Sequence, residues 1–230
     1  MGIRAVLFDV FGTLLDVHSV AARADQMFPG YGTRLSQLWR EKQIEYTRLR
    51  TISDRYVPFT QLTEDALMYA CDALHLPLDA ATRGLLMHEY TQLAAFSDVV
   101  PALRRLQHMG LTVGVLSNGD PGLLEDALHS AQLDEYIDLI LSADQVRAYK
   151  TSPSVYGLGP QTLGCPASSI FFVSGNGWDA ACATWYGYTT CWVNRNGSPP
   201  ERLGVAPHVT GRTLEAATDF LHKQLQAATE

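Results

Sequence analysis

Ala5-Val6-Leu7-Phe8-Asp9-Val10-Phe11-Gly12-Thr13-Leu14 is the stretch that decides the fold. Four apolar residues stop at a charge and a glycine, the pattern of a strand buried on both faces whose C-terminal end opens into a loop. The pattern recurs along the chain. Residues 113–116 run into Ser117-Asn118-Gly119-Asp120, 137–141 into Ser142-Ala143-Asp144, and 170–173 into Ser174-Gly175-Asn176-Gly177. Helical patterns fill the intervals, at 100–109 closed by Gly110, at 122–131, at 154–163 with interrupting glycines, and at 178–186 closed by Gly187. Alternation of this kind predicts an α/β fold with a doubly wound parallel sheet. Ligands of such sheets bind beyond the carboxyl ends of the strands, so the four polar loops are expected to share one crevice.

Residues 16–97 break the rhythm and read as helices without a strand, which predicts a helical cap domain inserted after the first strand, with 1–15 and 98–230 forming the core. Leu35, Leu38, Trp39, Tyr46 and Leu49 mark one apolar stripe, and Leu62, Ala66, Tyr69, Ala70, Ala73 and Leu74 another. Arg40, Gln43, Ile44 and Thr47 fall at i, i+3, i+4 and i+7, a second, semi-polar face able to look down on the crevice. The chain shows no internal repeat.

Bulk properties narrow the function. At 230 residues with 47% hydrophobic content the chain supports a core domain plus a smaller appendage. A net charge of −7, with Lys and Arg scattered, gives no basic stripe for nucleic acid. Cys71, Cys165, Cys182 and Cys191 lack paired C-x-x-C spacing, which suggests neither zinc nor a disulfide scaffold and fits reduced thiols in a cytoplasmic protein. The N-terminal apolar run is too short for a signal peptide, and no later run is long enough to span a bilayer.

The loop Asp9-Val10-Phe11-Gly12-Thr13-Leu14 resembles the nucleophile motif of the haloacid dehalogenase superfamily, whose aspartate at a strand end attacks the substrate, on a Rossmann-like core. Asp9 is otherwise a turn or helix-capping aspartate, but the apolar strand before it, the Gly-Thr-Leu exit and the matching downstream loops favour the functional reading. Ser117-Asn118, Lys150 ahead of Pro153, and the loop ending in Asp179 follow the order of the superfamily's remaining motifs. In its phosphatases a second aspartate, two positions after the nucleophile, is the general acid; here Phe11 stands there and cannot transfer a proton. Ser174-Gly175 replaces their magnesium-holding Gly-Asp pair, which depletes the hard oxygen ligands.

Trp39-Arg40, Lys42-Gln43-Ile44-Glu45-Tyr46 and Ser174-Gly175-Asn176-Gly177-Trp178-Asp179 are similar to the L-2-haloacid dehalogenase family. Phe11, where tyrosine is common, and Glu41, where a neutral polar residue is common, depart from its pattern. A halide leaves without a proton and a carbon electrophile needs no magnesium, so the resemblance implies a metal-free, cofactor-free attack by Asp9 on a small 2-haloalkanoate. It implies that Thr13 orients Asp9, that Lys150 keeps it ionised, and that Arg40 supplies donors to the carboxylate or departing halide. Ser117 and Asn118 are expected to bind the substrate carboxylate, and Arg40, Asn176 and Phe59 the halide. Val10, Phe11, Ile44 and Trp178 complete the substrate contacts, while Tyr156 and Ser174 support Lys150 and Asp179. Asp179, with Asn176 and Lys150, is the candidate for handling the hydrolytic water. The resemblance also makes a homodimer plausible. A magnesium-dependent phosphatase, or a domain binding small anions or a protein partner without turnover, are the competing readings.

Overall fold

A computed structural model of the chain describes residues 2–227. The N-terminal apolar run forms strand β1 (Ala5–Phe8), with every side chain buried. It pairs in parallel with β2 (Thr112–Ser117) on one side and β4 (Ile170–Ser174) on the other, and Phe8 stands level with Val115 and Val173. That register brings the loops after β1, β2 and β4 to one edge. β3 (Leu139–Ser142), β5 (Thr189–Val193) and β6 (Val209–Gly211) complete a parallel sheet in the order β3-β2-β1-β4-β5-β6. The order reverses between β1 and β4, where crevices open in doubly wound sheets. β5 and β6 lie beyond the strands read from sequence; β6 has three residues, too few for a periodic signal.

The helices between strands fall where the sequence places them, within the usual fraying of helix ends: α5 (Val99–His108), α6 (Pro121–Ser130), α7 (Pro153–Leu163) and α8 (Gly177–Tyr186). α9 (Glu215–Ala227) follows β6. One glycine of α7 has a packing reason. A Cβ on Gly159 would lie 2.9 Å from Leu7 Cδ1 of the central strand and press on the Tyr188 hydroxyl. Inside the same helix Pro160 has no N–H to offer the carbonyl of Tyr156 four residues earlier. The buried Tyr188 hydroxyl donates to that carbonyl instead, at 2.5 Å.

Between β1 and α5 stand α1 (Val20–Met27), α2 (Gly32–Ile52), α3 (Phe59–Ala73) and α4 (Ala80–Glu89). Leu35, Trp39, Leu62, Ala66, Ala70 and Leu74 are buried as the stripes predict, but Leu49, Tyr69 and Ala73 are exposed, Leu49 by 51%. The buried face of α2 instead continues through Gln43 and Thr47. These polar side chains can lie inside because their groups are satisfied: Gln43 Nε2 donates to Thr63 Oγ1 at 2.7 Å, and Thr47 Oγ1 to the Ile44 carbonyl at 2.7 Å.

Tyr188→Phe leaves the Tyr156 carbonyl buried without its donor and is expected to cost about 1–3 kcal/mol in urea unfolding. In a Pro160→Ala background, where a backbone N–H is restored, the same substitution should cost less; an equal penalty in both backgrounds would refute the compensation.

Candidate active site

Asp9 follows β1 by one residue, and its N–H still donates to the Val173 carbonyl at 2.9 Å, so the sheet holds its backbone. The chain then folds back sharply. The Val10 carbonyl accepts from the N–H groups of Thr13, Leu14 and Leu15, and Gly12 takes a left-handed conformation at φ 86°. This turn points Thr13 Oγ1 at Asp9 Oδ2, 2.8 Å away, while the Gly175 N–H donates to the same hydroxyl at 2.7 Å. Asn176, the N-cap of α8, donates its Nδ2 to Asp9 Oδ2 at 2.7 Å and to the Phe11 carbonyl at 3.1 Å. Ser174 Oγ accepts from the Asn176 N–H at 3.1 Å and so shapes that loop.

Lys150 reaches Asp9 Oδ1 at 3.0 Å and Asp179 Oδ2 at 2.8 Å. Its backbone N–H donates to Asn118 Oδ1 at 2.8 Å, which ties it to the loop after β2. Asp179, in the first turn of α8, also accepts from the Tyr156 hydroxyl at 2.7 Å. Lys150 and Asp179 are fully enclosed, and Asp9 nearly so. Burial by itself disfavours the Lys150 ammonium, but the charges of Asp179 and then Asp9 outweigh it and raise its pKa. The Asp179 carboxyl is also pushed up, by burial first and by the nearby Asp9 charge, against the opposing pull of Lys150 and the Tyr156 hydrogen bond. Desolvation dominates at the most deeply buried member of the cluster.

Above Asp9 lies a chamber of about 10 Å³, lined by Asp9, Phe11, Arg40, Gln43, Ile44, Thr47, Phe59, Asn118, Asn176 and Trp178. The semi-polar face of α2 thus does look onto the crevice. Phe11 and Phe59 stack at 5.4 Å between centroids. Arg40 extends from α2 across the chamber, donating Nη2 to the Phe11 carbonyl at 3.1 Å and Nη1 to Gln43 Oε1 at 2.5 Å. Ser117 is buried at the end of β2, and its Oγ accepts from the Gly119 N–H at 3.3 Å. Val10 and Ser117 do not line the chamber. Their side chains are both buried, with Val10 packed in the hydrophobic core.

Arg195 is a residue that sequence reading missed. It follows β5 by two positions, stacks on Phe96 at 3.9 Å, pairs with Asp98 at 3.0 Å and donates to the Thr13 carbonyl at 2.9 Å, bracing the Asp9 loop from behind. Nothing local to Arg195 marks it, since its partners are far away in sequence. Two features bear on magnesium. A Cβ at Gly175 would collide with the Gly12 carbonyl, so an aspartate there needs a different loop. The Lys150 ammonium already occupies the convergence of Asp9 and Asp179. The residues present do not fit that metal.

A family model described as haloacid dehalogenase-like hydrolase matches residues 3–187. The chain is 46% identical over 218 residues to an (S)-2-haloacid dehalogenase of Pseudomonas sp. (strain YL), covering 95% of this chain and 94% of that one. It is 39% identical over 219 residues to haloacetate dehalogenase H-2 of Moraxella sp. (strain B), covering 95% and 98%. Among solved structures, an L-2-haloacid dehalogenase superposes with a TM-score of 0.94 at 52% identity, covering 96% of this chain and all of the other (100%). The Xanthobacter autotrophicus L-2-haloacid dehalogenase with chloropropionic acid covalently bound gives 0.90 at 30% identity, covering 96% and 98%.

The Tyr156 hydroxyl stabilises ionised Asp179, so its loss must raise the Asp179 pKa further. In Tyr156→Phe the acid limb of the kcat profile is expected to move to higher pH, while no alkaline limb from Lys150 enters below its ordinary range, because its pKa is raised. An acid limb that stays put, or moves down, would exclude Asp179 as the group it reports.

Proposed function

The chain belongs to the haloacid dehalogenase-like hydrolase family, and from that premise we propose that it hydrolyses small L-2-haloalkanoic acids to D-2-hydroxyalkanoic acids through an ester on Asp9. One observation carries the reading. The buried Asp9 carboxylate faces a narrow chamber lined by an arginine, and Phe11 stands where a leaving-group acid would be needed for phosphate or other oxygen leaving groups.

An Asp9 oxygen attacks C2 from the side opposite the halogen; the C–O bond forms as the carbon–halogen bond breaks, halide departs with the electron pair, and C2 inverts. Substrate and nucleophile are both anions, a repulsion of roughly 4 kcal/mol at 4 Å and an effective dielectric near 20. Arg40 offsets it with a planar set of donors, and the Lys150 ammonium, 3.0 Å from Asp9 Oδ1, adds a second positive charge beside the nucleophile. In this reading Asn118 and the backbone around Ser117 receive the substrate carboxylate, as a polar turn before a helix does. Asn176, Arg40 and the edge of Phe59 surround the halide. Water then adds to the ester carbonyl of Asp9, the tetrahedral intermediate expels the 2-hydroxy acid, and the proton from water leaves through the Asp179, Asn176 and Lys150 cluster. Thr13 holds Asp9 in line for both steps. Val10 acts through its carbonyl as the pivot of the loop, Ile44 and Trp178 wall the alkyl group, and Tyr156 and Ser174 support Asp179 and Asn176.

The insertion at 16–97 serves as a cap that brings Arg40 to the core. The exposed Leu49, Ile52, Met68 and Tyr69 on its α2 and α3 support a homodimer through this cap. The four cysteines are free thiols, which favours a reducing, cytoplasmic setting. Among the described residues no helix is long and apolar enough to cross a membrane.

Purified protein in EDTA should release chloride from chloroacetate and L-2-chloropropionate, and Asp9→Asn should lose at least about 10³-fold in kcat. p-Nitrophenyl phosphate with magnesium is the control; phosphate release without halide release would move the protein to the phosphatases. Single turnover in ¹⁸O-labelled water should place label in Asp9, whereas label in the product alone would refute the ester.

A further inference from the structure

The chamber over Asp9 has room for about one water, less than any 2-halo acid needs. Some wall must yield to substrate. Beside it lies an open vestibule of about 480 Å³, and Arg40, Ile44, Asn176 and Trp178 border both spaces. Arg40 and Asn176 are committed to polar partners in the chamber, so the apolar part of the partition is Ile44 and the Trp178 indole. An alkyl group that outgrows the chamber toward the larger space meets Ile44 and that indole.

Trp178 stands at the start of α8 on the core side and is met from the cap by Arg48, whose guanidinium carbon lies 5.2 Å from the ring centroid. Arg48 is one helical turn beyond Ile44 on α2, so both partition contacts come from one rigid helix. Among the described residues no carboxylate comes within ion-pair distance of Arg48, and a guanidinium over an indole face is a favourable cation–π arrangement. Resting on the dehalogenase reading, we infer that Arg48 is a specificity residue: by holding the Trp178 indole as the partition between chamber and vestibule, it limits the alkyl chain that the site accepts. Its effect is exerted through Trp178, without contact with the reacting atoms.

The test compares wild type, Arg48→Lys and Arg48→Ala on chloroacetate, L-2-chloropropionate, L-2-chlorobutyrate and L-2-chlorohexanoate, at low and high salt. Arg48→Ala should raise the ratio of kcat/KM for the six-carbon substrate over chloroacetate at least about fivefold, about 1 kcal/mol of discrimination. Arg48→Lys, which keeps a cation over the ring, should stay within about twofold of the wild-type ratio. A ratio unchanged in Arg48→Ala overturns the inference; if all four substrates fall together and salt erases the difference, Arg48 only attracts anions. Calorimetric binding of the D-2-hydroxy acids of the same chain lengths runs in parallel. A wild type that releases no halide overturns the dehalogenase reading, and the chain-length dependence of this binding then decides on Arg48 alone.

Discussion

Two carboxylates buried around a single ammonium organise this molecule. Asp9, Asp179 and Lys150 carry a net negative charge in a region that water scarcely reaches, and removing each ion from water costs several kcal/mol. The mutual attraction offsets that cost only if the remaining lone pairs are also satisfied. Thr13, Asn176 and Tyr156 supply those donors, and each comes from a different part of the chain. The loop after β1, the start of α8 and the body of α7 are therefore bound to one geometry. Replacing Lys150 by an apolar residue would leave two buried carboxylates facing each other without their shared cation.

The sheet makes such a cluster possible. Level parallel strands deliver the ends of β1, β2 and β4 to one edge, and the reversal between β1 and β4 leaves no crossover above Asp9. The outer parts reinforce the centre. Trp192 of β5 donates its indole N–H to the Gly175 carbonyl at 3.2 Å, and Arg195 beyond it braces the Thr13 carbonyl. The hydroxyl of Tyr188 repairs the gap Pro160 leaves in α7, and that helix carries the Tyr156 ring whose hydroxyl reaches Asp179.

Much of this was legible in the sequence because apolar runs ending in polar loops report local patterns. Asp9, Arg40, Asn118, Asn176 and Trp178, named from motifs, all line the chamber, and Lys150 lies directly behind Asp9. The failures have physical causes. Gln43 and Thr47 read as a semi-polar face toward the crevice, and they are also buried because Thr63 and the helix's own carbonyls satisfy them, so the core face of α2 departs from the Leu38, Tyr46 and Leu49 stripe. Gly159 weakens the helical signal of α7 because it answers to Tyr188 and Leu7, residues outside that window. Arg195 and Arg48 carry no local signal because their partners are distant in sequence, Phe96, Asp98 and Thr13 in one case and Trp178 in the other.

In the proposed reaction Asp9 serves first as a nucleophile and then, once esterified, as an electrophile, and the donors around its carboxylate suit both demands. Oδ1 faces Lys150, while Oδ2 faces Thr13 and Asn176. An ester formed at either oxygen leaves the other, now the carbonyl oxygen, with donors already aimed at it. Those donors hold the free carboxylate in the resting enzyme and would take up the charge that develops when water adds to the ester. Donors fixed before the reaction begins cost no reorganisation when that charge appears, so the same hydrogen bonds that make a buried aspartate tolerable to the fold also suit it to both steps.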